Sequence, residues 1–180
     1  TLSLDLDVGL TGSKTEYNVI GEITGRSNPE EVVVIGGHLD SWDLGTGAVD
    51  DGAGVAVTMA AGSLIGNLKK APKRTVRVVA YANEEQGLLG GKAYAEALQA
   101  EVENHQLGAE SDFGAGRIYA LQAGVDEASW QVLEQIGAVL KPLGIVVDKS
   151  SGGPGPDIGP MAEKGMPWAE LAQDGSDYFD

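Results

Sequence analysis

The stretch Val32-Val33-Val34-Ile35-Gly36-Gly37-His38-Leu39-Asp40 decides the fold, because it joins a continuous apolar run to a polar cluster. Four consecutive β-branched residues are typical of a strand that is buried on both faces, as in a parallel sheet. The run from Thr75 to Tyr81 has the same character, and Ile145 to Val147 is a shorter third example. We therefore predict buried strands at these three places.

Stretches with helical patterns separate the apolar runs. Ala53 to Leu68 is apolar nearly all round, which predicts a buried helix. Gln86 to Gln99 and Asp126 to Leu140 predict helices with more polar faces, the second with Asp126 as its N-cap. Strands that alternate with helices imply βαβ crossovers. The sequence therefore predicts an α/β fold, a three-layer αβα sandwich around a mostly parallel mixed sheet.

The opening residues predict one edge of this sheet. Thr1 to Val8 alternate between apolar and polar residues, as in a half-exposed strand. Glu16 to Ile23 is expected to pair with that strand in antiparallel fashion. Ser150 to Pro156 is rich in glycine, proline and serine and predicts a loop.

The composition excludes several classes of partner and of chemistry. The 180 residues suggest one domain, and 12 basic against 27 acidic residues give a net charge of −15. Such a charge argues against a nucleic acid or an anionic membrane as the partner, because both need a positive face. No apolar run approaches the roughly 18 residues of a membrane span. The sequence contains no cysteine, which excludes disulfides, thiolate nucleophiles and cysteine-based metal sites.

Polar clusters lie near the ends of the predicted strands and at the start of one helix. In chain order they are His38 with Asp40, Asp50 with Asp51, Glu84 with Glu85, and Asp112. In open α/β sheets, ligands bind beyond the carboxyl ends of the strands. We therefore expect one imidazole and several carboxylates to meet on one rim of the sheet.

Carboxylates that gather in this way repel one another unless a cation lies between them. Nitrogen and oxygen ligands without sulfur suit zinc, with cobalt or manganese as possible substitutes. One histidine and three carboxylates fit two ions better than one, with a carboxylate bridging metals about 3.5–4 Å apart. Each cluster alone has a plainer interpretation, such as a helix cap for Asp50 and Asp51. Their joint placement favours a metal centre.

Four motifs carry a resemblance to a known family. His38-Leu39-Asp40, Asp50-Asp51-Gly52-Ala53-Gly54, Glu84-Glu85-Gln86-Gly87 and Glu110-Ser111-Asp112 resemble those of the co-catalytic zinc exopeptidases. That family includes bacterial aminopeptidases and glutamate carboxypeptidases. The stretch from Gly36 to Gly54 is especially similar to the carboxypeptidase Q branch.

The resemblance implies a role for each matching residue. It implies that two zinc ions are bound and that Asp50 bridges them. His38 and Asp112 would be further ligands of one ion, and Glu85 would be a ligand of the other. It further implies Glu84 as general base, Asp40 as the partner of His38, and Asp51 as a residue that shapes the bridging loop. The implied reaction is hydrolysis of a peptide bond near a free N-terminus by zinc-activated water.

The same resemblance implies the biological setting. The substrate would be a peptide or dipeptide, cleaved by aminopeptidase or dipeptidase action, and the protein would be periplasmic or secreted. Asp157, in the loop that follows the glycine-rich patch, is a further candidate, expected to bind the amine of the substrate.

One ligand of the family pattern is missing from the sequence. The family places a further histidine shortly after a Tyr-Phe pair, and here Tyr178-Phe179 is followed only by Asp180. We therefore expect residues 1–180 to be a fragment of the catalytic domain, without its N-terminal portion, protease-associated domain and C-terminal end. Such a fragment would hold the zinc at Glu85 weakly and have little activity. His105 is the only other histidine and the one internal substitute.

Three alternatives remain open at this point. Glutaminyl cyclases share much of the motif set but use a single zinc. Aminoacylase-like deacetylases usually place a longer segment between the first two motifs than the twelve positions that separate His38 from Asp50. A non-catalytic interaction domain of the same fold, like the transferrin-receptor ectodomain, would be expected to lose ligands or the base, whereas Glu84 is present here.

Overall fold

The computed structural model describes residues 2–9, 12–150, 152–176 and 178. The strands are β1 (Val19–Ile23), β2 (Asn28–His38), β3 (Arg74–Tyr81), β4 (His105–Glu110), β5 (Ile118–Gly124), β6 (Val146–Val147) and β7 (Trp168–Gln173). The helices are α1 (Gly52–Gly66), α2 (Leu89–Ala97), α3 (Trp130–Leu140) and α4 (Gly159–Ala162), with 3-10 turns at Gln99–Asn104 and Lys141–Leu143.

The seven strands form one sheet in the order β1-β3-β2-β4-β7-β5-β6. The four central strands β3, β2, β4 and β7 run parallel to one another. β1 is antiparallel to β3, β5 is antiparallel to β7, and β6 is parallel to β5. This arrangement confirms the predicted α/β fold with a mostly parallel mixed sheet.

Helices cover both faces of the sheet. α1 packs on the face to which Val78 points, whereas α2 and α4 pack with Val79 and Tyr81 on the opposite face. A second apolar cluster lies under α3, where Leu133 packs with Leu121, Ile145 and Ala169. The two longer predicted runs supply Val32, Val34, Val79 and Tyr81 to the first cluster, all from one face of the sheet. The third run supplies Ile145 to the second cluster but is not a buried strand, because β6 is a two-residue strand at the edge of the sheet and Val146 is 60% exposed.

α1 is buried on one side only, which corrects the prediction of a buried helix. Its buried residues are small: Gly54, Thr58 and Gly62. A Cβ atom on Gly62 would lie 2.6 Å from Val78 Cγ2, so the helix approaches the sheet as closely as a glycine allows. The larger side chains point outward, and Val57 and Met59 are 57% and 59% exposed. Apolar composition therefore did not reveal which face would be buried.

The predicted opening strand is wrong. Residues 2–9 are exposed and form no strand, and β1 pairs with β3 instead. Thr1, Ser151, Asp177, Phe179 and Asp180 lie outside the described residues, so the structure does not report on them.

Two central strands, β4 and β7, were not predicted, and two helices begin at other residues than predicted. β4 and β7 lack a continuous apolar run, because glycine or polar residues interrupt both. α2 begins at Leu89 because a tight turn occupies the residues before it. Asp126 accepts a hydrogen bond from Ser129 N–H at 2.8 Å and forms the turn before α3 rather than its N-cap.

A buried chain of hydrogen bonds joins β3, α2 and β4. Arg77 Nη1 donates to the Tyr94 hydroxyl at 2.8 Å, and that hydroxyl lies 2.8 Å from His105 Nε2. His105 Nδ1 lies 2.9 Å from the carbonyl oxygen of Glu101. A carbonyl can only accept, so Nδ1 carries the hydrogen and Nε2 accepts from Tyr94. His105 is thus committed to this chain and does not join the predicted metal ligands.

Candidate metal centre

The predicted ligands lie together at the carboxyl ends of the central strands. His38 ends β2, Glu84 and Glu85 follow β3, and Asp112 comes two residues after β4. Asp50 lies two residues before α1. Parallel strands end at one edge of a sheet, which is why side chains from distant parts of the sequence meet there.

His38 lies at the centre of the group. Its side chain is only 1% exposed. Nδ1 lies 2.9 Å from the backbone carbonyl of Asp40, which fixes Nδ1 as the donor in the neutral ring. Nε2 faces the carboxylates, 2.9 Å from Asp50 Oδ1 and 3.5 Å from Asp112 Oδ1, and carries no hydrogen once the ring is neutral. A histidine held in this tautomer is ready to bind a metal through Nε2.

Two sets of ligand atoms are close enough to hold metal ions. His38, Asp50 and Asp112 form one set, and His38, Glu84 and Glu85 form the other, with all atoms of a set within 4.8 Å of one another. Among the described residues, no lysine or arginine forms an ion pair with these carboxylates. The nitrogen and oxygen donors, without sulfur and without a counter-cation, fit zinc.

The crowding of acidic groups at the site shifts the pKa values of its residues. Burial alone would lower the pKa of His38, but a hydrogen bond and the charge of Asp112, together with other carboxylates, raise it to about 10. Burial raises the pKa of Glu84, and the charge of Asp112 adds to the effect. Burial and the charge of Asp50 raise the pKa of Glu85. Without a metal, bound protons neutralise part of the negative charge of these carboxylates, and a divalent cation would replace the protons.

Asp51 positions His38 through the backbone. Its Oδ2 accepts from His38 N–H at 2.9 Å, and its Oδ1 accepts from Gly54 N–H at 3.1 Å as the N-cap of α1. Burial raises the pKa of Asp51 to about 7. Its carboxylate points into the protein, towards these amides, as expected for a residue that shapes the bridging loop.

Asp40 acts mainly on the glutamate pair. Its carboxylate accepts from Glu84 N–H at 2.9 Å and from Glu85 N–H at 3.1 Å. Its Oδ1 lies 3.6 Å from His38 Nδ1, and His38 Nδ1 donates its hydrogen bond to the backbone carbonyl of Asp40 instead. The carboxylate of Asp40 therefore links β2 to the turn that carries both glutamates.

Tyr178 is a site residue that sequence reasoning missed. Its hydroxyl lies 3.5 Å from Asp112 Oδ1, and burial together with a hydrogen bond to Asp50 raises its pKa. Its ring stacks on Phe113 with centroids 4.9 Å apart. The two rings line a groove of about 270 Å³ that extends to Arg117. The Tyr-Phe pair is the signal in the sequence that points to this position.

Asp157 lies inside the protein next to the centre. It is 1% exposed, and its Oδ1 accepts from Gly91 N–H at 3.1 Å. Burial and the charge of Glu84 raise its pKa to about 7. Its predicted contact with a substrate amine stays a prediction.

The fold and the acidic rim are those that the resemblance to the co-catalytic zinc exopeptidases implies. The chain belongs to peptidase family M28, whose family model matches residues 18–179. This match confirms the predicted co-catalytic zinc exopeptidase family.

Individual relatives agree with the family. Carboxypeptidase Q of Homo sapiens is 40% identical over 173 residues, which cover 93% of this chain and 36% of the relative. The peptidase M28 precursor of Shewanella amazonensis superposes with a TM-score of 0.85 at 52% identity, over 91% of this chain and 37% of that chain. A zinc aminopeptidase of Bacillus subtilis, at 20% identity and a TM-score of 0.70 over 91% of this chain and 41% of that chain, shares the fold. This chain thus spans little more than a third of the curated carboxypeptidase Q sequences it matches.

Among the described residues, no helix is both long and apolar enough to cross a membrane.

Proposed function

We propose that this chain forms part of the catalytic domain of a zinc-dependent exopeptidase that cleaves peptides or dipeptides near a free N-terminus. The observation that carries the proposal is the placement of His38 Nε2 against Asp50 and Asp112 on a rim that also presents Glu84 and Glu85. The names of the relatives, carboxypeptidase Q and aminopeptidase, support the reaction class.

The first set of ligand atoms supports one of the two proposed metal sites, and the family resemblance supports the other. His38, Asp50 and Asp112 would hold one zinc ion, and Glu85 would hold a second ion that shares Asp50. When bound, zinc supplies a Lewis acid and lowers the pKa of coordinated water to about 7. The second ion would gain a histidine from the sequence after Asp180. Residues 1–180 alone would therefore bind that ion weakly.

Glu84 is the proposed general base. Its Oε2 lies 4.0 Å from His38 Nε2, so the carboxylate faces the space between the ligands. Its raised pKa brings it closer to the operating pH, where a base transfers protons most efficiently. Glu84 would take a proton from the attacking water and deliver it to the leaving amine. Asp40 keeps Glu84 in place by accepting its backbone N–H.

The setting is also a proposal. We place the protein in the periplasm or outside the cell, on the resemblance of Gly36 to Gly54 to the carboxypeptidase Q branch. Asp157 remains a candidate for the substrate amine, although its burial favours the structural role argued below. The retained base and ligands argue against a non-catalytic interaction domain.

Glu84→Gln in the full-length, zinc-loaded protein tests the proposal. We expect kcat for dipeptide hydrolysis to fall about 10²- to 10⁴-fold, the usual contribution of a general base. Zinc content should not change, because Glu84 is not a proposed ligand. Glu163→Gln, on the exposed end of α4, is the matched control and should leave kcat unchanged. Retention of kcat within threefold would refute the role of Glu84, and formation of pyroglutamate instead of hydrolysis would favour the cyclase alternative.

A zinc titration tests the proposed fragment. Residues 1–180 should show one tight site at most, and the protein extended beyond Asp180 should show two. Two equally tight sites in residues 1–180 would contradict the proposed extra histidine.

A further inference from the structure

Glu110 is an acidic residue close to the metal centre that the proposed reaction does not use. It ends β4, two residues before Asp112. Its Oε2 accepts from Asp157 N–H at 3.0 Å and from Ile158 N–H at 3.2 Å. The loop before Asp157 presses on the same oxygen, because a Cβ atom on Gly155 would collide with it. One carboxylate therefore holds a whole turn of backbone against the end of β4.

The contacts continue from this turn to α2. Asp157 Oδ1 accepts from Gly91 N–H at 3.1 Å, in the first turn of α2. The packing is as close as glycine permits, since a Cβ atom on Gly91 would lie 2.8 Å from Asp157 Cα. The turn at Asp157 therefore packs directly against the first turn of α2.

The start of α2 in turn holds the glutamate pair. Leu88 N–H and Gly87 N–H both donate to the carbonyl oxygen of Glu84, at 2.8 and 2.9 Å. On its other side the same turn is held by Asp40 through the N–H groups of Glu84 and Glu85. The start of α2 is also bonded to the residues just after β3, through Leu89 N–H and Gly90 N–H, so the contacts with β2 and, through α2, with β4 add to this direct connection.

We propose that Glu110 is a positioning residue for the metal centre. Through Asp157 and Gly91 it fixes the start of α2, and so sets the distance of Glu84 and Glu85 from Asp112. The two hydrogen bonds to one carboxyl oxygen, together with the close approach of Gly155, hold this turn in one geometry. The inference rests on the proposed function, because it assigns Glu110 to the same reaction.

The test compares three variants of Glu110 in the full-length, zinc-loaded protein. Glu110→Ala removes the acceptor and should lower kcat at least tenfold while KM changes less than threefold. Glu110→Gln keeps an acceptor oxygen and should restore kcat to within about threefold of the parent. Glu110→Asp keeps the carboxyl group but withdraws its oxygens by one methylene, and it should lower kcat at least fivefold. Glu96→Ala, on the exposed side of α2, is the control and should have no effect.

Two further readouts separate positioning from simple loss of stability. Zinc affinity of the site that contains Glu85 should fall at least fivefold in the alanine variant, while the site of His38 and Asp112 keeps its affinity. Amide hydrogen exchange at Gly91 should become faster. Asp157→Ala should give the same loss of kcat, and the double variant with Glu110→Ala should lose no more than either alone, because both act through one set of contacts.

The outcomes are distinct. Unchanged kcat and unchanged exchange at Gly91 in a folded Glu110→Ala or Glu110→Asp protein would overturn the proposal. If the alanine variant does not fold, the aspartate variant decides by the same measurements. If the parent protein hydrolyses no peptide, the proposed function fails, and zinc affinity with hydrogen exchange still tests the positioning role.

Discussion

Tyr94→Phe removes one oxygen atom from the buried chain of Arg77, Tyr94 and His105, and its effect can be worked out from the structure. The hydroxyl takes part in two hydrogen bonds of 2.8 Å, one from a guanidinium and one to an imidazole. A bond to a charged group contributes about 1.5–3 kcal/mol and a neutral one about 0.5–1.5 kcal/mol. Both partners keep buried polar atoms that the phenylalanine ring cannot satisfy.

We expect Tyr94→Phe to lower the free energy of unfolding by about 2–4 kcal/mol. For a chain of this size each kcal/mol shifts Tm by about 2–4 °C, so Tm should fall by roughly 4–16 °C. The ring itself still packs on Tyr81, at a centroid distance of 5.9 Å, so the change isolates the hydroxyl.

Urea unfolding followed by circular dichroism, with calorimetry for Tm, provides the measurement. Tyr119→Phe is the matched control, because that side chain is 50% exposed, and its change should stay within about 0.5 kcal/mol. A loss below 1 kcal/mol in Tyr94→Phe would show that the buried chain contributes little, and the reasoning from hydrogen-bond geometry would be refuted.

Three other predictions concern His105, Asp40 and Asp51. Burial lowers the pKa of His105 in the folded chain. Below about pH 6.5 the unfolded chain therefore binds a proton at this residue more readily than the folded chain does, and the folded state loses stability as the pH falls. The Tm difference between the parent and His105→Gln should therefore shrink from pH 7 to pH 5, and a constant difference would contradict this. Asp40→Ala leaves the N–H groups of Glu84 and Glu85 without their acceptor, so kcat/KM should fall about 10- to 100-fold, and an unchanged value in peptidase assays would argue against it. Asp51→Asn keeps one acceptor for two buried N–H groups and should cost about 1–3 kcal/mol in urea unfolding, whereas an unchanged midpoint would mean that the cap is dispensable.

The parts of the fold that were predictable are those whose pattern is local. The apolar composition of two runs, Val32 to Ile35 and Thr75 to Tyr81, is enough to predict buried strands. These strands correctly place His38 and Glu84 at strand ends. β4 could not be recognised in the same way, because its residues are half polar and its burial depends on neighbours far away in sequence. The gathering of the acidic residues was predictable because it follows from strand direction.

The contacts that hold the site were not predictable. Asp40, Asp51 and Asp157 each accept hydrogen bonds from backbone N–H groups, and any residue type can supply such a group. No residue pattern therefore marks the partner. Tyr178 was missed for a related reason, since only the folded chain shows that its hydroxyl reaches Asp112.

The use of backbone amides as partners for the supporting carboxylates has a consequence for the behaviour of this protein in salt. Mobile ions screen pairs of side-chain charges at a protein surface, but buried contacts with peptide dipoles are screened far less. Asp40, Asp51 and Glu110 rely on such dipoles, and none of them pairs with a lysine or arginine in the described part of the chain. The scaffold of the rim should therefore keep its shape from dilute buffer to concentrated brine, even though the chain carries a net charge of −15.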